Sequence, residues 1–196
     1  RGDVVMPYIQ EPIPVVSEPP MREWYMLQLP WSGEVTEIRR LNMPGLQELY
    51  CDGNPLTDLP WDELQNLYYL SVYDCAFVTL DLWQMPNLYS CYAGDNYDLE
   101  TVDAHDMANI GDLDLYYCQS LTTLDISGCT NLGYIYAYGC AFDEAMVDQL
   151  LADLVANGTT GGYLRINSGS SAPPSDPDGL ALKAVLIDRG WNIYHN

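Results

Sequence analysis

Apolar residues recur along this chain in blocks, with neither the single period of one helix nor the plain alternation of one strand. The pattern L-x-x-L-x-L-x-x-N/C fits Leu46-Gln-Glu-Leu49-Tyr-Cys51-Asp-Gly-Asn54. It returns at Leu67…Leu70-Ser-Val72…Cys75, Leu88…Cys91-Tyr-Ala93…Asn96, Ile110…Leu113-Asp-Leu115…Cys118 and Leu132…Ile135-Tyr-Ala137…Cys140. A worn copy comes first, at Trp24…Leu27-Gln-Leu29…Ser32, so the starts step by 22, 21, 21, 22 and 22 residues. Each strand segment is followed by a second apolar pair: Val35/Ile38, Leu56/Leu59, Phe77/Leu80, Leu99/Val102 and Leu121/Leu124. Apolar Met43, Leu64, Met85 and Met107 stand three residues before four of the starts. Such a period is too short for a helical pair. It suits a coil with one short strand and an irregular or 3-10 return on the convex side.

These copies resemble the short bacterial leucine-rich repeats of the internalin kind over residues 24–142. The resemblance implies an α/β leucine-rich-repeat solenoid of about six coils with a parallel concave sheet. The Asn/Cys position then points inward and satisfies loop backbone groups that would be buried unpaired. Asn54 and Asn96 fit that role, with Cys75, Cys118 and Cys140 as thiol substitutes. Cys51 and Cys91 take Leu positions and Cys129 takes the Met85/Met107 position, so all six cysteines are read as unpaired, small core residues. A stacked Cys118–Cys140 disulfide is the alternative.

After the coils, Asp143 is placed to cap a helix whose apolar stripe is Met146, Val147, Leu150, Leu151, Leu154 and Val155, ended by Asn157-Gly158. A strand (Tyr163–Ile166), a Gly/Ser/Pro loop, a second helix over about 179–189 and a last strand from Trp191 follow. The stretches DQLLADLVANGTTGGYLRINSGSSAPPS and LALKAVLIDRGWNIYHN resemble a C-terminal module of phage structural proteins and of some environmental bacterial repeat proteins. The chain therefore divides into an extended Pro-rich arm (1–22), a solenoid (23–142) and a C-terminal α/β cap (143–196). The arm carries apolar Val4, Val5, Ile13, Val15 and Val16 with no place in the repeat, and is expected to tether the protein to a partner. The start at Arg1, without a leader-like segment, reads as a processed or trimmed chain or part of a longer one.

Charge narrows the partners. The chain has 28 Asp+Glu against 7 Lys+Arg, a net of −21, and no Lys or Arg lies between Leu41 and Leu164. Such a surface repels phosphate backbones and anionic lipid heads, which excludes nucleic acid. No apolar run approaches the ~18 residues of a membrane span.

Signals for catalysis are sparse. The two histidines, His105 and His195, are far apart in sequence, and no nucleophile elbow, P-loop or dinucleotide fingerprint occurs. The chain is read as a non-enzyme with neither cofactor nor metal. Asp81, Asp103 and Asp125 recur after the second apolar pair and should stack ~5 Å apart. A cation could bridge them, but each carboxylate accepting hydrogen bonds from its own turn is the favoured reading.

The stronger signal is aromatic. The chain has 16 tyrosines and 2 phenylalanines, and 12 of the tyrosines fall at x positions of the repeat, which the core does not use. Candidate partner-binding residues on the concave face are Tyr50, Tyr69, Tyr73, Tyr92, Tyr116, Tyr134, Tyr136 and Tyr138, with Asp112 and Asp114. Tyrosine offers contact area at low entropic cost, with a hydroxyl for hydrogen bonds. A neutral or cationic protein or glycan is the expected partner there. The leading functional expectation is a structural or recognition protein on a phage virion surface (a decoration, fibre or tail-associated protein), folded in the host cytoplasm and held through the arm. The alternative is a bacterial cell-surface or secreted adhesion protein.

Overall fold

The computed structural model describes residues 25–196; Trp24 and the arm, with its expected tethering role, lie outside them. The strands of the coils are, in chain order, β1 (Met26–Gln28), β2 (Glu48–Tyr50), β3 (Tyr69–Ser71), β4 (Thr79–Asp81), β5 (Ser90–Tyr92), β6 (Thr101–Asp103), β7 (Asp112–Asp114), β8 (Thr123–Asp125) and β9 (Tyr134–Tyr136). Each is three residues long because the coil turns after every L-x-L step. The middle residue of β2, β3, β5, β7 and β9 (Leu49, Leu70, Cys91, Leu113, Ile135) is fully buried, while its neighbours on either side point the other way. In-register parallel pairing stacks these residues coil upon coil into one continuous core.

The return side departs from the expected irregular or 3-10 path. Short 3-10 turns do occur at Trp61–Glu63 and Leu82–Gln84. The second apolar pairs, however, also seed strands: β4, β6 and β8 form a separate three-stranded parallel sheet through Leu80, Val102 and Leu124. Thr-φ-Asp, with φ apolar, is a strand-compatible tripeptide in all three coils. Equivalent tripeptides one coil apart pair in register.

The inward asparagines do what the resemblance implies. Asn54 Nδ2 donates to the carbonyls of Pro30, Cys51 and Asp52 at 2.9–3.0 Å, and Oδ1 accepts the Val35 N–H at 3.2 Å. Asn96 repeats this with Val72 and Ala93 at 2.8 and 2.9 Å, and accepts from Phe77 at 3.4 Å. The thiols of Cys75, Cys118 and Cys140 donate to the carbonyls of Cys51, Ala93 and Leu115 at 3.5, 3.1 and 3.3 Å. A thiol is a poor acceptor, and the preceding coil compensates. There the N–H of Leu56, Leu99 or Leu121 turns back to the carbonyl of Asn54, Asn96 or Cys118. All six cysteines are free. Cys75 departs from the core expectation, being only partly buried.

The C-terminal segment continues the same body. Helix α1 (Glu144–Ala156) is capped by Asp143, which accepts the Met146 N–H at 2.8 Å, and Gly158 follows at φ +74°. Its buried stripe is Val147, Leu150, Leu151 and Leu154. Strand β10 (Tyr163–Arg165), helix α2 (Asp178–Asp188) and strand β11 (Asn192–Tyr194) complete the chain. Strand β10 pairs with β9 and β11 with β10, which makes a single eight-stranded sheet from β1 to β11.

Candidate functional site

The outward side of this long sheet carries the residues singled out from sequence. The strands are fixed by their buried middle residues, so the flanking side chains of neighbouring coils sit side by side. Two tyrosine clusters result. In the first, Tyr69 lies 4.9 Å from Tyr50 and 5.1 Å from Tyr92, ring centre to ring centre, in a zigzag across three strands. The register places Ser71 opposite Tyr50 and Tyr92, and Ser90 opposite Tyr69. Both serines are buried, and small residues at these points let the rings close diagonally. In the second cluster, Tyr136 lies 5.6 Å from Tyr116, 6.3 Å from Tyr138 and 6.3 Å from Tyr134, all near parallel.

Strand β7 separates the two clusters. Ser90, Asp112 and Tyr134 share one row of the sheet, and Tyr92, Asp114 and Tyr136 share the next. Asp112 accepts from the Ser90 hydroxyl at 3.0 Å, and Asp114 accepts the Tyr116 N–H at 3.1 Å. Neither carboxylate is paired with a lysine or arginine among the described residues. Burial pushes the Asp114 carboxyl above its ordinary range. The hydrogen bond from Tyr116 offsets part of that, and the nearby charge of Asp95 adds to the rise. Burial likewise raises Tyr92 and Tyr134, and pushes Tyr69 up to about 12.

Tyr73 stands apart from both clusters. It donates its hydroxyl hydrogen to Asp95 of the next coil, which is the first cause of its raised pKa. The other oxygen of that carboxylate, Asp95 Oδ1, is buried without a hydrogen-bond partner among the described residues. Tyr73's ring also lies against Gly94, where a Cβ would meet it at 2.9 Å. The same arrangement recurs one period apart at Trp31 over Gly53, Tyr89 over Gly111 and Tyr117 over Gly139.

The cap adds residues to this face that the repeat pattern did not single out. Tyr163 continues the row of Tyr134 at 5.3 Å, and Tyr194 lies 5.5 Å from Tyr163. Arg165 places its guanidinium 4.6 Å from the Tyr138 ring centre and 5.4 Å from that of Tyr136. The face therefore already holds one cation on tyrosine rings, supplied by the chain itself.

The acidic column lies on the other sheet. Asp81, Asp103 and Asp125 are in register. Asp103 accepts the His105 N–H at 3.1 Å, and Asp125 accepts the Ser127 N–H at 2.9 Å, each within its own turn. His105 Nδ1 sits 2.6 Å from Asp103, and its ring packs 5.6 Å from Trp83. His195, by contrast, contacts Lys183 of α2.

The fold is that of a leucine-rich-repeat solenoid, and comparison with known proteins agrees. The Leucine Rich Repeat family model matches residues 45–67. The functional domain of InlJ from Listeria monocytogenes, described as including a cysteine ladder, superposes with a TM-score of 0.50 and 17% identity, covering 71% of this chain and 40% of that one. The internalin InlF from the same organism gives 0.48 and 15%, covering 79% of this chain and 44% of that one. The chain thus spans less than half the length of either internalin chain. No curated protein sequence matches it. Among the described residues, no helix is long and apolar enough to cross a membrane.

Proposed function

We propose that this protein is a non-enzymatic recognition scaffold, acting on a bacterial cell surface or after secretion, that binds a partner protein through the tyrosine face of its long sheet. The observation that carries this reading is the acidic strand β7 set between the two tyrosine clusters. Asp112 and Asp114 face outward without a basic partner among the described residues, flanked by Tyr92 on one side and Tyr134 and Tyr136 on the other. A lysine or arginine of a partner would meet both requirements at once: charge for the carboxylates and ring faces for its stem. Arg165 on Tyr136 and Tyr138 is an internal example of that contact. Tyr50, Tyr69, Tyr116 and Tyr138 extend the contact area on rings already ordered by one another, and Tyr73 on a ring held by Asp95, so binding orders little that is free.

The internalin likeness supports a surface or secreted role over the virion role. The virion expectation rests on the resemblance of the C-terminal segment to phage modules, the arm, the lack of a leader-like segment and the tyrosine face, and nothing in the comparisons adds to it. Antibody labelling of intact source cells and culture medium, against particles purified from the same culture, tests the location. Signal confined to particles would overturn the surface reading. Attachment of the purified protein to its target cells should be lost when Asp112→Asn and Asp114→Asn are combined. Unchanged attachment would remove this face from the function.

A further inference from the structure

A second surface, just ahead of the strands, has a different chemistry. Asn66, Asn87, Asn109 and Asn131 immediately precede the starts of four successive coils, and all four are exposed. Each gives one amide N–H to a carbonyl of the coil before. The acceptors are Pro44, Gln65, Pro86 and Asn109, at 2.9, 2.8, 3.0 and 3.3 Å. That bond fixes the amide and leaves its second N–H and its oxygen for other partners. Beside this row lie Tyr68 and Tyr89, parallel to within 6° with ring centres 5.2 Å apart. Tyr68 keeps 52% of its surface exposed. Tyr89 leans onto Gly111, and at Gly133 beyond it an added Cβ would meet nothing within 4 Å. The amides and rings together line an open groove of about 380 Å³ along the solenoid.

We propose that this groove binds a neutral, extended, β-1,4-linked glycan chain. Three properties select that class. First, among the described residues no charged side chain lines the groove, Gln47 being its remaining lining residue, although the chain carries a net charge of −21. A basic peptide or a cation has no carboxylate to pair with here, and an anion has no basic group. Second, the pairing of flat aromatic faces with fixed amides matches a pyranose ring, which presents C–H groups on its face and hydroxyls around its rim. Third, the amides repeat once per coil, at a strand spacing of ~4.8 Å. A β-1,4-linked hexose advances by a similar step, so successive sugars meet equivalent amides. An extended peptide repeats the same face only every ~6.6 Å and falls out of step within two coils. This site shares no residue with the acidic strand, so it stands or falls separately from the partner-binding face.

The test is calorimetric titration of the whole chain with cellohexaose and with N-acetylchitohexaose, alongside an oligogalacturonate hexamer and a proline-rich decapeptide. Binding of one or both neutral sugars at millimolar concentration is expected, and the neutral sugar that binds identifies the natural class. Tyr68→Ala should weaken it about tenfold, the loss of one stacking contact of ~1.4 kcal/mol. Tyr68→Phe should keep it, and Asn87→Ala with Asn109→Ala should abolish it. Thermal unfolding of each variant confirms the fold, and Tyr68 is exposed enough to be truncated safely. No heat with either neutral sugar, tighter binding of the galacturonate or the peptide, or sugar binding untouched by these variants would each overturn the proposal.

Discussion

The thiol of Cys118 donates to the carbonyl of Ala93, one coil earlier, at 3.1 Å. Asn96 Nδ2 reaches that same oxygen at 2.9 Å, so both lone pairs of a buried carbonyl are used, one by an amide and one by a thiol. The cysteines are therefore polar struts as well as filler, which sets how they should respond to change.

Cys118→Ala removes one of the two donors and leaves a small void. Urea denaturation should show a loss of about 1–2 kcal/mol. Cys118→Ser keeps a donor and should recover part of it.

The same burial governs reactivity. Burial pushes Cys75 up to about 11 and Cys118 and Cys129 up to about 12, so thiolate is scarce at neutral pH. Alkylation of the folded protein should modify Cys75 first and slowly. In denaturant without reductant, all six thiols should be labelled. A count of four would mean a disulfide in the purified protein.

Asp114→Asn should raise the thermal midpoint at neutral pH. Burial raises this carboxyl's pKa in the folded chain, so the folded state favours its protonated form. That gain is present at low pH and is lost as pH rises through the folded value, leaving a buried charge that costs stability at pH 7. Asparagine removes the charge and keeps an oxygen for the Tyr116 N–H. A higher midpoint together with lost partner attachment would show a residue held for binding at the expense of stability.

The sign for His105 is set by Asp103. The hydrogen bond that the ring N–H gives to that carboxylate is the first cause raising the imidazole above its ordinary 6.5. The associated stabilisation is full below pH 6.5 and is lost as pH rises through the folded value. NMR titration should place the midpoint above 6.5, and Asp103→Asn should bring it back down.

Gly94 and Gly133 should answer alanine oppositely. At Gly94 the new Cβ meets the Tyr73 ring at 2.9 Å and the Tyr116 carbonyl at 3.1 Å, and Tyr73 is held by Asp95. Overpacking there should cost about 1–3 kcal/mol. At Gly133 there is open space, and the narrower unfolded ensemble should stabilise the protein by about 0.4–1 kcal/mol. Denaturant midpoints of the two variants check both.

Most of the solenoid was legible because its signal is repeated. Leu49, Leu70, Leu113 and Ile135 recur at fixed spacing, and each copy corroborates the others. Asp143 and Gly158 marked the two ends of helix α1 for equally local reasons. The pairing of β10 with β9 was not legible. Tyr163-Leu-Arg165 follows a helix and breaks the period, so nothing in sequence ties it to the row of Tyr134 and Tyr136. The second sheet was visible in outline as the Leu80, Val102 and Leu124 column. Whether such a column pairs as strand or coils loosely depends on backbone hydrogen bonding that side-chain pattern does not encode. On the tyrosine face, the positions could be listed from sequence but their grouping could not. It depends on where Ser71 and Ser90 leave room. The ring-over-glycine contacts did have a sequence signal: an aromatic residue followed by glycine 21 or 22 residues later, as in Trp31/Gly53, Tyr73/Gly94, Tyr89/Gly111 and Tyr117/Gly139.

Those contacts limit how such a chain can lengthen. Solenoids grow when a gene segment of one period is copied in tandem, which succeeds if neighbouring coils are interchangeable. Here they are not. A second copy of the coil carrying Tyr73 would set one Tyr73 against another where Gly94 now makes room. A second copy of the coil carrying Tyr117 would do the same to the seat held by Gly139. Duplicating the coil that carries Tyr89 would be tolerated, because Tyr68 already lies parallel to a tyrosine at that position. Insertion of whole coils into this gene should therefore succeed at some boundaries and fail at others, and the aromatic residues say which.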